Sequence, residues 1–111
     1  MLGGDTVKIV GRDIGIGPCL VVAELGLNHN GSIEVARKLI DTAAGCRADA
    51  VKLQKRDAGA CLTRAALAAS YTGRNSFGST YGEHREALEL KPDQWAELRD
   101  YAKVAGLIFF G

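Results

Sequence analysis

The chain has 111 residues, 47% of them hydrophobic, and its 14 Lys and Arg nearly balance 13 Asp and Glu for a formal net charge of +1. That size and apolar content suit one small globular domain or part of a larger one, and they exclude a disordered chain. The even charge balance sets up no broad field for nucleic acid or a membrane surface, and the longest apolar runs fall far short of the roughly 20 residues a membrane-spanning helix needs.

The N-terminus Met1-Leu2-Gly3-Gly4-Asp5 lacks a basic region followed by an apolar one, so a cytoplasmic location is expected. Cys19, Cys46 and Cys61 are odd in number and show no CxxC spacing, so reduced thiols are expected rather than a disulfide framework or a zinc site. Thr6 to Val10 alternate in polarity and meet the turn-prone Gly11-Arg12-Asp13 before Ile14 to Ile16, which predicts a hairpin. Gly15-Ile16-Gly17 is not a dinucleotide loop, because Pro18 follows and no helix starts behind it.

Cys19 to Ala23 is a continuous apolar run of the kind expected for a strand buried on both faces, ended by Glu24. A helix should begin at Ser32, with Glu34 in its first turn and Ala36, Leu39, Ile40 and Ala43 as its buried stripe. Gly45 suits the left-handed position past its end, and Ala50 to Gln54 reads as a second strand. The three elements make a βαβ unit with parallel strands.

Periodicity fades from Lys55 to Leu90. Ala58 to Ser70 can hold a short helix, and Tyr71 to Thr80 is a polar, glycine-punctuated loop of a length that is usually functional or disordered. A helix returns at Pro92, with Trp95, Leu98, Ala102 and Ala105 on one face and Gly106 as its stop, and Leu107 to Gly111 reads as a third strand.

Residues that break these patterns are the candidates for chemistry. Lys52 and Gln54 interrupt the second strand two residues apart, so they share one face, while Val51 and Leu53 take the other. Helices must cover the apolar face, which leaves Lys52 and Gln54 on the opposite side at the strand's C-terminal end, with Glu24 placed alike on the first strand. Loops converge at that end in parallel α/β folds, so the three residues are expected at one ligand site.

A lysine there suits a phosphate or carboxylate, or a Schiff base once burial strips its charge; Glu24 can orient a hydroxyl, bind a metal-bound water or act as a base. The competing structural role is a Glu24–Lys52 ion pair with Gln54 as a polar filler. His29 reads as part of a turn, His84 as a solvated surface residue and Trp95 as core. Arg74 and Asn75 are loop residues able to contact substrate, with solvent the simpler place for Arg74.

Ala23-Glu24-Leu25-Gly26-Leu27-Asn28-His29-Asn30-Gly31 and Ala48-Asp49-Ala50-Val51-Lys52-Leu53-Gln54 closely resemble the N-terminal signatures of the sialic acid (N-acetylneuraminate) synthase family. Ser76 to Leu90 and the helix to Gly106 look like that family's segment before its third barrel strand, so the resemblance runs from Val7 onward. It implies an α/β chain that is the truncated start of a (β/α)8 TIM barrel, with an N-terminal hairpin over residues 1–18 and the first three strands and their helices over 19–111. Such a barrel runs to about 250 residues.

The implied reaction condenses phosphoenolpyruvate with N-acetylmannosamine or a related amino-sugar aldehyde, giving a nine-carbon 2-keto acid and phosphate. By this resemblance Glu24 and Lys52 are catalytic, and Lys52, Gln54 and Asn75 bind substrate. A divalent cation, Mn2+ or Mg2+, serves the full-length family through ligands this chain lacks, and the full-length form is expected to be a homodimer. The piece alone is expected to be inactive. Two other readings stand beside this one: a Schiff-base pyruvate aldolase on the same barrel type, with Lys52 as the reactive amine, and a non-catalytic α/β module that binds a phosphorylated ligand.

Overall fold

The computed structural model describes residues 6–111, so the expectation placed on Met1 to Asp5 lies outside the described residues. Strand β1 (Val7–Ile9) pairs antiparallel with β2 (Arg12–Ile14) through the tight turn Val10-Gly11. Both turn residues have positive φ, the geometry of a two-residue hairpin, and Val10 at φ 49 is the strained one because it is β-branched. The Arg12 guanidinium ties the hairpin to the main body through Asp49, whose other carboxylate oxygen accepts the Val21 N–H at 2.8 Å. That amide first, and then Arg12, hold the Asp49 carboxyl below the usual carboxylate range.

The main body is a parallel three-stranded sheet of β3 (Val22–Gly26), β4 (Ala50–Leu53) and β5 (Ile108–Phe110), with β4 in the middle. Strand β3 differs from expectation. Val22 to Gly26 form it, not Cys19 to Ala23, and Cys19, Val21 and Val22 are exposed rather than buried on both faces. Asp49 captures the Val21 amide just ahead of the strand, so pairing begins at Val22, and Glu24 lies within the strand rather than at its end.

Helix α1 (Ile33–Gly45) starts at Ser32, whose hydroxyl accepts the Val35 N–H, and buries Ala36, Ile40 and Ala43. Its left-handed exit residue is Arg47 at φ 60, two residues beyond the Gly45 that was expected there, because the helix runs through Gly45 to a cap at Cys46. Helix α5 (Pro92–Val104) begins with proline in its first turn, where no amide donor is missed, and Gly106 ends it at φ 80. Leu98 and Ala102 are buried, whereas Ala105 is an exposed cap rather than part of the stripe.

α1 and α5 lie side by side, joined by Tyr101 O–H donating to Asp41 at 2.7 Å and by an Arg37–Glu97 ion pair. Their apolar faces meet Leu25, Val51 and Leu53 in one core with Leu90 and Leu107. Alternation along β4 therefore sends Val51 and Leu53 into the helix layer and leaves Lys52 exposed on the other face.

Between β4 and α5 the chain forms three short helices where one was expected. α2 (Ala58–Cys61) is capped by Asp57 and α3 (Arg64–Ala68) by Thr63. α4 (Tyr81–Leu88) opens on a reciprocal capping box between Thr80 and Glu83. No helix among the described residues is long and apolar enough to cross a membrane, and Cys19, Cys46 and Cys61 are all free and exposed.

Candidate functional site

The parallel register sets Glu24 of β3 directly opposite Lys52 of β4, and Lys52 opposite Phe110 of β5. Lys52 Nζ donates to Glu24 Oε2 at 2.9 Å. The side chains keep 48% and 51% of their exposure, so this is an open ion pair on a bare sheet face and not a buried clamp. A pair so exposed contributes about 0–1 kcal/mol, too little to account for placing two charges in the middle of a sheet.

Directly after Glu24 the register slips, and Gly26 adopts φ 54. A Cβ on Gly26 would lie 3.4 Å from Glu24 Oε1, 3.7 Å from Gln54 Nε2 and 3.9 Å from Asn28 Nδ2. Three polar side chains, from Glu24, Gln54 and Asn28, thus converge above Gly26, whose left-handed backbone favours glycine, and Lys52 joins them through its bond to Glu24. Glu24, in the middle of β3, comes together with Lys52 and Gln54 at the end of β4, whereas the sequence pattern put all three at strand ends. Asn28 joins them, unpredicted as a site residue, held by its own amide donating to Leu25 O at 2.9 Å. The polar residue just past a strand-ending glycine was the available signal for it.

The turn that carries Asn28 is anchored by His29, which is 1% exposed. Its Nδ1 accepts the Gly31 N–H at 2.9 Å, so the neutral ring carries its proton on Nε2, which has no partner among the described residues. Burial pushes the His29 pKa below its ordinary value. Gly31 completes the turn: a Cβ there would lie 2.4 Å from the Ala87 carbonyl oxygen of α4.

Asn75 does not join the strand-end cluster. It lines a separate cavity of about 450 Å3 with Asn30, Arg74 and Phe77. His84, expected as a solvated surface residue, is buried in that cavity's wall instead, because it sits on the inner face of α4 with Arg85 and Leu88. Its ring lies 4.4 Å from Tyr71, and its Nδ1 accepts the Phe77 N–H at 3.2 Å. Trp95, expected as core, is half-buried and packs edge-to-face on Phe109 at 5.8 Å. Among the described residues no group of three or more His, Cys, Asp or Glu is arranged to hold a metal ion.

Residues 39–111 match the model of the NeuB family. The chain belongs to that family. This is the sialic acid synthase family its strand-end motifs resemble. Over 92 residues, 83% of this chain, it is 46% identical to N-acetylneuraminate-9-phosphate synthase of Mus musculus. Over a similar stretch, 82% of this chain, it is 35% identical to N,N'-diacetyllegionaminic acid synthase of Legionella pneumophila. The chain spans about a quarter of the length of these relatives, 26% of each. The crystal structure of N-acetylneuraminic acid (sialic acid) synthetase from Leptospira borgpetersenii superposes with a TM-score of 0.67 over 96% of this chain and 33% of that one; at 24% identity this likeness bears on the α/β fold alone.

Proposed function

We propose that this chain is the N-terminal part of a sugar acid synthase, that its three parallel strands open a (β/α)8 barrel, and that the bare sheet face is the barrel interior. The observation that carries the reading is the convergence of Glu24, Lys52, Gln54 and Asn28 around Gly26 at the strand ends. Burying that face inside a closed barrel would desolvate the Glu24–Lys52 pair, and a charged substrate is the compensation such a site requires.

The substrates proposed are phosphoenolpyruvate and an amino-sugar aldehyde such as N-acetylmannosamine. C3 of phosphoenolpyruvate attacks the aldehyde carbon and forms the C–C bond, while the aldehyde oxygen takes a proton and becomes a hydroxyl. Water adds at C2, and the C2–oxygen bond breaks to release phosphate and leave the 2-keto acid. Lys52, an ammonium on the open face, holds the phosphate or carboxylate of phosphoenolpyruvate as a point charge. Glu24, drawn to Lys52 in the absence of substrate, is placed to accept a proton from the incoming water or orient a substrate hydroxyl. Gln54 supplies both a donor and an acceptor, and Asn28, whose amide already donates to Leu25 O, offers its side-chain oxygen as an acceptor. Asn75 is assigned to the sugar from its own cavity.

The divalent cation implied for the family is proposed to take its ligands from parts of the synthase outside this chain, and no step above runs through it. The full-length protein is proposed to be a homodimer, and the isolated 111 residues to be inactive. A Schiff-base aldolase fits less well, because Lys52 is half exposed and bound to a carboxylate, whereas an amine nucleophile must be uncharged. Phosphoenolpyruvate carrying heavy oxygen at its bridging position tests the reaction. Label in the released phosphate is expected, and label retained in the keto acid would refute the proposed bond cleavage.

A further inference from the structure

The turn after β3 contains a residue that packing alone does not require. His29 is 1% exposed, and burial keeps its ring neutral by pushing the pKa down. Its Nε2–H has no partner among the described residues, and a buried donor left unpaired lowers stability. An apolar ring would fill the same space without that cost, so what the position uses is the acceptor His29 adds at Nδ1. Buried nitrogens of Arg85 and Trp95 also lack partners among the described residues, but neither residue adjoins a member of the strand-end cluster in the chain.

Nδ1 holds a sharp backbone reversal. Asn30 and Gly31 are consecutive left-handed residues, at φ 54 and φ 77, a combination that needs to be held in place. The Gly31 N–H donates to Nδ1 at 2.9 Å and closes the reversal from inside, as an Asx side chain does when it bonds the backbone two residues on. Asn30 N–H donates to Leu27 O at 3.0 Å and Ser32 N–H to His29 O at 2.9 Å, which ties the turn to the strand exit and to the start of α1. The far side is equally tight, because a Cβ on Gly31 would lie 2.4 Å from the Ala87 carbonyl oxygen of α4.

Asn28 is the neighbour this rigidity serves. Its backbone N–H and its side-chain amide both donate to Leu25 O, at 3.0 and 2.9 Å, which leaves Oδ1 as its acceptor. The residue is exposed and stands over Gly26 with Glu24 and Gln54. An exposed polar group orients a substrate only if the backbone carrying it is already fixed. We infer that His29 is a positioning residue for the reaction: it touches no substrate, and by holding the Gly31 amide it fixes the turn that presents Asn28 Oδ1 to a substrate hydroxyl. This rests on the synthase reading and adds a residue to the same site.

The test is a double-mutant cycle on kcat/KM of the synthase that contains this chain, with phosphoenolpyruvate and N-acetylmannosamine, each value referred to folded protein. Asn28→Ala should lower kcat/KM about 10- to 100-fold, the scale of losing or misplacing one orienting group. His29→Gln, whose longer side chain cannot place an acceptor at Nδ1, should lose a similar factor. The double variant should be no more than about 3-fold worse than Asn28→Ala alone, because His29 acts through Asn28. His29→Asn, whose amide oxygen takes the place of Nδ1, should stay within about 3-fold of the parent. Where His29→Gln does not fold, His29→Asn carries the test alone, and a loss above about 10-fold there overturns the inference. Equal factors lost from His29→Gln in the parent and in Asn28→Ala assign His29 to general structure and overturn it. Parental rates in Asn28→Ala or in folded His29→Gln overturn it too and leave the synthase reading intact. Absence of turnover by the parent refutes the synthase reading itself, and this inference with it.

Discussion

The two faces of the parallel sheet are built from the same strands and serve opposite ends. On one face Leu25, Val51 and Leu53 disappear under α1 and α5. On the other, one residue along, Glu24 and Lys52 stand half exposed, and no element among the described residues covers them. Adjacent positions of β4 thus face the core and the open side separately, because strand alternation turns successive side chains in opposite directions. The lesson is that burial is supplied by the apolar positions, which leaves the charged positions on the open face available for the proposed chemistry.

Substitutions at neighbouring positions sharpen that contrast. Leu53→Ala, at 1% exposure, should cost about 2–5 kcal/mol in chemical denaturation, whereas Lys52→Met beside it should cost less than about 1 kcal/mol. A large destabilisation by Lys52→Met would erase the distinction between the faces. Gly26→Ala stands between the two. The left-handed backbone should cost about 1–2 kcal/mol, while the new methyl would only reach ordinary contact with Glu24 Oε1 at 3.4 Å, so stability should fall through backbone strain.

His29 couples the turn to pH. Its pKa is depressed in the folded state by burial, so the unfolded chain binds the extra proton more readily. Stability is then full above the unfolded value near 6.5 and declines as pH falls from there toward the folded pKa. His29→Asn keeps an acceptor for the Gly31 amide and should flatten this part of a stability–pH profile; an unaltered slope would assign the titration elsewhere. The smallest effect is expected away from both faces. Val10→Asn relieves a β-branched residue at φ 49 and should stabilise the hairpin by about 0.5–1 kcal/mol, read as a rise in the unfolding midpoint.

Where local chemistry had a single solution, the fold was legible in the residues. Ser32 and Pro92 start helices, Gly106 stops one, and Lys52 with Gln54 marks the face turned from the helices. β3 was misplaced because an apolar run resembles a fully buried strand, while the actual boundary depends on a distant carboxylate, Asp49, holding Val21. α4 was missed because its apolar spacing is weak, yet the Thr80 and Glu83 pair three residues apart carried a helix-start signal. Its consequence was the misreading of His84, which no local pattern assigns to an aromatic wall formed by a loop folding back on the helix. Candidate site residues were legible as exceptions to pattern. The separation of Asn75 from the strand-end cluster was not, since it depends on how the 71–80 loop packs.

The central claim is that the bare face performs the condensation. Phosphate release from phosphoenolpyruvate in the presence of the amino sugar, measured on the synthase that contains this chain before and after Lys52→Met, tests it most directly. The account predicts a loss of at least about 100-fold in kcat/KM, the scale of removing a positioned charged group from an active site, with the unfolding midpoint nearly unmoved. Retention of the parent rate by a folded Lys52→Met variant would contradict it.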